Sequence, residues 1–128
     1  MSSKIAIVTG AGTGIGKVSA LALLKDGWSV VFAGRRKEPL DQAIAESGAG
    51  AARTLAVPTN VADPASVANL FAETKKKFGR LDLLFNNAGV SGGGAIEDLT
   101  YDQWKTVVDI NLTGPFLCTQ QAVKMMKD

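Results

Sequence analysis

Three groups of residues in this chain have types and spacing suited to holding an anionic ligand. The first is the run Thr9-Gly10-Ala11-Gly12-Thr13-Gly14-Ile15-Gly16. It follows the short apolar segment Ile5 to Val8, and beyond it Ile15, Val18, Leu21, Ala22 and Leu24 recur at helical spacing. Strand, glycine loop and helix in that order aim helix N-terminal amides at a phosphate. Gly10 permits the tight turn, while Gly14 and Gly16 remove side chains where a pyrophosphate and the strand come close. The second group is Gly34-Arg35-Arg36, at the end of the second apolar segment. A dinucleotide site normally places an acid there for the ribose 2′-hydroxyl. Guanidinium groups pair instead with a 2′-phosphate, and no carboxylate opposes it. The third group is Asn86-Asn87-Ala88-Gly89, whose small residues admit a ribose and whose amides can tie the loop to a neighbouring strand. Each group alone also reads plainly, as a structural glycine turn, a solvated arginine pair and an ordinary turn. Their combination favours a nucleotide.

These loops must be brought to one edge of a scaffold. Ile5 to Val8 and Ser29 to Ala33 read as buried strands, and Arg53 to Pro58 and Leu81 to Phe85 as a third and a fourth strand. Lys25-Asp26-Gly27 ends the first helix, and the next starts near Pro39, reaches Ser47 and stops at Gly48 to Gly50. Asp63-Pro64 opens another helix as N-cap and first residue, with Phe78-Gly79 closing it. Thr100-x-x-Gln103 forms a capping box at the start of a final helix. This alternation predicts an α/β fold, a Rossmann-type doubly wound parallel sheet with helices on both faces and right-handed crossovers. Its first four strands take the order 3-2-1-4, with the nucleotide in the crevice between the first and fourth. Residues 1–128 lie within one dinucleotide-binding Rossmann domain, of which they are expected to be the N-terminal portion only, without repeats or a linker.

The glycine loop is not the common Gly-x-Gly-x-x-Gly pattern: the third glycine would fall at Ile15 counted from Gly10, or at Lys17 counted from Gly12. The run Thr9-Gly10-x-x-x-Gly14-Ile15-Gly16 and the segment Asn86-Asn87-Ala88-Gly89 resemble instead the short-chain dehydrogenase/reductase family. The resemblance covers the whole chain and implies the N-terminal part of a member. It implies a cofactor held by Gly10, Thr13, Gly14, Ile15 and Gly16, with Asn87, Ala88 and Gly89 near the ribose. It also places the adenine edge at Asn60 and its face at Val61; without it, Asn60 is a turn residue. Arg35 and Arg36 favour NADP(H) over NAD(H), although NADP-preferring members often carry a basic residue where Thr13 stands. Asp109-Ile110-Asn111-Leu112 resembles the segment bearing the asparagine of the family's Asn-Ser-Tyr-Lys tetrad, so Asn111 is the one catalytic position carried over. The serine and the Tyr-x-x-x-Lys lie later than Asp128. Tyr101 and Lys105 have the right interval but precede Asn111, and are set aside.

The implied function is an NADP(H)-dependent oxidoreductase that interconverts a carbonyl and an alcohol by hydride transfer. Its tyrosine serves as acid/base, lowered in pKa by the lysine and the nicotinamide charge. The 128 residues alone are expected to be inactive. The alternative is a non-catalytic nucleotide-binding or dimerisation module; a flavin or S-adenosylmethionine site is disfavoured by Asn86-Asn87-Ala88-Gly89. The substrate is a small molecule that these residues do not name, and no metal site is expected.

A formal charge of +2 without a basic stripe gives no reason to expect nucleic-acid or membrane partners. Lys75-Lys76-Lys77 reads as a solvated helix face opposite Val67, Leu70, Phe71 and Phe78. The single cysteine, Cys118, reads as a small apolar filler and suits a reducing compartment; the protein is expected to be soluble and cytoplasmic. Trp28 and Trp104 are expected in the core or docking a helix. Leu112, Phe116, Val123 and Met126 give the last helix an apolar stripe too broad for one sheet, which predicts a homo-oligomer with an isologous contact. Pro115 cannot donate to the Asn111 carbonyl, so a kink is expected from Asn111 to Pro115, eased by Gly114, with Asn111 acting through its main chain and its side chain fixing the bend. The loop Ser91 to Ala95 offers flexibility without chemistry.

Overall fold

Apolar residues run almost without interruption through Ile5–Thr9 (β1) and Ser29–Gly34 (β2), and such strands need cover on both faces. The computed structural model, which describes residues 4–90 and 94–127, supplies it. β1 and β2 pair in parallel, with Ile5 opposite Ser29 and Thr9 opposite Ala33. β3 (Thr54–Pro58) joins the outer side of β2, and β4 (Leu83–Phe85) joins β1, giving the parallel order β3-β2-β1-β4. Successive residues face opposite layers. Ile5, Ile7, Val31 and Val57 pack with Val67, Leu70 and Phe71 of α3 (Pro64–Phe78) and with Cys118 and Ala122 of α5 (Gly114–Met126). Ala6, Val8, Val30 and Phe32 pack with Ala20 and Leu24 of α1 (Gly14–Lys25) and with Leu40 and Ala43 of α2 (Lys37–Ser47). The result is a doubly wound parallel sheet with helices on both faces.

The helix starts follow their caps. Asp63 accepts the Ala65 N–H at 3.1 Å with Pro64 in the first turn of α3, and Thr100 and Gln103 cap each other at the start of α4 (Tyr101–Val108). Strand starts differ by one or two residues from the sequence expectation. Arg53 stands ahead of β3, where its guanidinium donates to the carbonyls of Leu24 and Trp28. Asp82 stands ahead of β4 and accepts the Ile5 N–H on its carboxylate at 2.8 Å, so a side chain makes the bond that a strand neighbour would make.

Several side chains depart from expectation. On α1, Ile15 and Val18 are 72% and 67% exposed, and Gly16, Ala20 and Leu24 are the buried positions. The spacing located Leu24 on the buried face, but the close approach of this helix admits small residues at Gly16 and Ala20, which leaves Ile15 and Val18 on the outer face. Trp104 is 55% exposed on α4, whereas Trp28 packs against the α1–α2 layer. Lys77 is not merely solvated: its Nζ donates to the carbonyls of Ala51 and Thr54. The expected interruption near Pro115 takes the form of a π-helical turn, Asp109–Thr113, between α4 and α5. The Gly114 N–H donates to the Asp109 carbonyl, five residues back. That slip places Pro115 in the first turn of α5, where a missing N–H breaks no bond. Cys118 is fully buried, and burial pushes its thiol up to about 11, which suits a packing role.

Candidate functional site

The carboxyl ends of the four strands converge on a cleft of about 130 Å³. Gly10 lines it after β1, Gly34 and Arg35 after β2, Thr59, Asn60 and Val61 after β3, and Ala88, Gly89 and Val90 after β4. Ile110 adds a wall from the π turn. This volume is below the usual range for a whole ligand and suits one end of an extended one. Larger hollows exist elsewhere. One of about 700 Å³ lies between α3 and α5 at the opposite end of the sheet, beside Phe71, Lys75, Leu81 and Lys124. It contains none of the motif residues, so chemistry rather than size selects the smaller cleft.

The turn after β1 is fixed from several directions. The Thr9 hydroxyl accepts the N–H groups of Asn87 and Ala88, both at 2.9 Å, and donates to the Phe85 carbonyl at 3.4 Å. That uses the full bonding capacity of a hydroxyl. The Asn87 side-chain amide donates to the Gly10 carbonyl at 3.3 Å. Gly10 and Gly14 have positive φ, 66° and 56°. A Cβ at Gly14 would meet nothing within 4 Å, so glycine serves conformation there and not closeness to the strand. A Cβ at Gly16 would lie 2.2 Å from the Gly10 oxygen, so there glycine serves proximity. Gly12 plays a similar part toward α2, since its Cβ would lie 2.8 Å from Cβ of Pro39.

Thr13 precedes α1 in an extended conformation, its side chain makes no cap bond, and the first turn carries no acid. The leading amides of α1, at Gly14, Ile15 and Gly16, have no carbonyl four residues back within the helix. Anions are favoured at such an end. Gly14 and Ile15 line a separate shallow hollow with Lys17 and Val18, outside the cleft. Arg35 and Arg36 are both exposed. Arg35 is the one charged side chain among the described lining residues, and Arg36 precedes α2 as its N-cap. The Ala11 N–H donates to the Ala33 carbonyl at 3.1 Å and the Thr59 N–H to Gly34 at 2.6 Å, which locks the three loops together.

Asn60 does form a local turn: its Oδ1 accepts the Ala62 N–H at 3.1 Å and its own N–H donates to Ser66 Oγ at 2.8 Å. Asn111 uses its carboxamide as a strand would use its backbone. Its Nδ2 donates to the Val90 carbonyl at 2.7 Å and its Oδ1 accepts the Val90 N–H at 2.8 Å. The side chain therefore holds the loop after β4 rather than the helix bend. Asn86 ties the end of β4 to Thr119 of α5 at 3.1 Å. Of the loop Ser91 to Ala95, residues 91–93 lie outside the described residues. Tyr101 and Lys105 are exposed on α4, away from the cleft lining. Sequence reading missed the Thr9 hydroxyl as a hub, Val90 and Ile110 as walls of the cleft, and Gly12 as the contact with α2. The threonine just before the first glycine was the available signal. Among the described residues, no cluster of three His, Cys, Asp or Glu side chains could hold a metal, and no helix is long and apolar enough to cross a membrane.

Comparison with known proteins matches the chain to this arrangement. The family described as short chain dehydrogenase matches residues 4–128. A 3-oxoacyl-[acyl-carrier-protein] reductase from Synechocystis is 39% identical over 98% of this chain and 51% of its own length. A 3-ketoacyl-(acyl-carrier-protein) reductase from Brucella melitensis, crystallised with NADH, superposes with a TM-score of 0.91 at 30% identity, covering 97% of this chain and 50% of that one. An actinorhodin polyketide ketoreductase with NADPH superposes with a TM-score of 0.90 at 35% identity, covering 98% and 49%. The chain thus spans about half the length of each of these three. The family match spans residues 4–128, which include the four-stranded sheet, the glycine turn and the loop after β4, and the chain belongs to the short-chain dehydrogenase family.

Proposed function

We propose that the cleft binds the adenosine end of NADP(H) and that the whole protein interconverts a carbonyl and an alcohol of a small molecule by hydride transfer. The observation that carries this is the coincidence, at one sheet edge, of an uncapped, acid-free α1 N-terminus with a cleft whose charged lining residue is Arg35. The residues present fit that group: the leading amides of α1 at Gly14, Ile15 and Gly16, beside Thr13, would hold a diphosphate, and Asn87, Ala88 and Gly89 would hold the ribose. Asn60 and Val61 would hold the adenine, and Arg35 and Arg36 the 2′-phosphate. The bound cofactor supplies the hydride.

The chain's own residues set the geometry for that chemistry. Thr9 and Asn87 hold the ribose loop on β1, and Asn111 holds Val90. The Asn111 carbonyl receives no bond from Pro115, which has no N–H, and in this reading it holds a water on the proton path. No Tyr-x-x-x-Lys follows Asn111 within these residues, so residues 1–128 alone bind nucleotide without turning over substrate. The related structures carry either NADH or NADPH, and the preference for the phosphorylated form rests on Arg35 and Arg36. A cytoplasmic homo-oligomer completes the reading, and the exposed α5 stripe of Phe116, Val123 and Met126 supports the oligomer. Calorimetric titration of the full chain tests it: NADPH should bind about 1–3 kcal/mol more tightly than NADH. Equal affinities, or a preference that survives Arg35→Ala with Arg36→Ala, would refute the assignment.

A further inference from the structure

Gly114 opens α5 with helical dihedrals, φ −57° and ψ −55°, so its backbone does not require glycine. Glycine is also a poorer helix former than alanine. The reason for it is space. A Cβ on Gly114 would stand 2.7 Å from Cγ2 of Val61, 3.1 Å from its Cβ and 3.3 Å from its carbonyl oxygen. Val61 is buried and lines the nucleotide cleft. The Gly114 N–H meanwhile closes the π turn that carries Ile110, another lining residue, and Asn111. A single contact without a side chain thus joins the wall of the cleft to the turn that holds Val90.

We propose that Gly114 is a positioning residue for nucleotide binding, acting through Val61. Any side chain at 114 must displace either Val61 or the π turn, and both are walls of the same cleft. The inference rests on the nucleotide reading of that cleft. Adenosine 2′,5′-bisphosphate, which carries the adenine and 2′-phosphate without nicotinamide, is the probe. It is titrated into the full chain, Gly114→Ala, Val61→Ala and the double variant, with circular dichroism and urea unfolding reporting the fold of each.

Gly114→Ala should bind the probe about tenfold more weakly, the scale of an overpacked contact. Val61→Ala removes the nearest methyl, leaving 3.1 Å as the closest approach. The double variant should therefore bind about as well as Val61→Ala alone, a strong departure from additivity. Should Gly114→Ala fail to fold, the double variant decides: recovery of both fold and Val61→Ala affinity supports the proposal. Undiminished binding by Gly114→Ala, additive losses, or an unfolded double variant overturns it. A wild-type chain that ignores the bisphosphate refutes the nucleotide reading itself, which is a different result.

Discussion

Gly16→Ala should destabilise the chain although alanine is the better helix former. In an unobstructed helix the change would add about 1 kcal/mol. Here the new Cβ would lie 2.2 Å from the Gly10 carbonyl oxygen, 2.8 Å from the Gly10 carbonyl carbon and 2.5 Å from Nδ2 of Asn87. Two of those atoms belong to the backbone of the β1 turn and cannot swing aside. Overpacking against such atoms costs about 3 kcal/mol, the upper part of the usual range. Displacing Asn87 also breaks its 3.3 Å bond to Gly10, worth about another 1 kcal/mol. The losses exceed the alanine gain by about 3 kcal/mol, or about 10 °C in Tm for a domain of this size. Gly14→Ala is the internal comparison: it meets no atom but must adopt φ near 56°, at about 1–2 kcal/mol. Urea unfolding of the three chains measures both. A Gly16→Ala chain as stable as wild type, or no less stable than Gly14→Ala, would refute the reasoning.

Acid should weaken the sheet at a defined place. The Arg80 hydrogen bond, and after it the Ile5 N–H, hold the Asp82 carboxyl below the usual carboxylate range despite some desolvation. A group held low stabilises the fold above its unfolded pKa, about 3.9, and that support is lost as pH falls through the folded value. Urea midpoints of the wild type should drop more steeply below about pH 4 than those of Asp82→Asn; parallel curves would contradict this. For assembly, Phe116→Glu should shift the chain toward monomer in light scattering, because Phe116 is 61% exposed on the α5 stripe. A wild type already monomeric at micromolar concentration would remove the proposed contact.

Much of the fold was legible because buried parallel strands and capped helices leave local marks. Val30 to Ala33 could be little else, and Asp63-Pro64 and Thr100-x-x-Gln103 act within their own turns. What was not legible depended on distance between elements. The buried side of α1 is written in Gly16 and Ala20, which carry little hydrophobic signal, and is decided by how closely the helix approaches β1. The π turn results from Pro115 competing with a helix that continues past it, and the sequence shows the proline without showing which residue absorbs the slip. The motif loops were identifiable by type, but Asn111 bonding Val90 and Gly114 receiving Val61 join residues 21 and 53 positions apart, and only the folded chain brings them together.

Amide chemical-shift mapping of the full chain with NADPH tests most directly which end of the sheet holds the nucleotide. Shifts should concentrate at Gly14 to Gly16, Gly34 to Arg36, Asn60 to Val61 and Asn87 to Gly89, and saturate together with one affinity. Shifts centred instead on Phe71, Lys75, Leu81 and Gln121, around the larger hollow at the opposite end, would contradict the carboxyl-edge site.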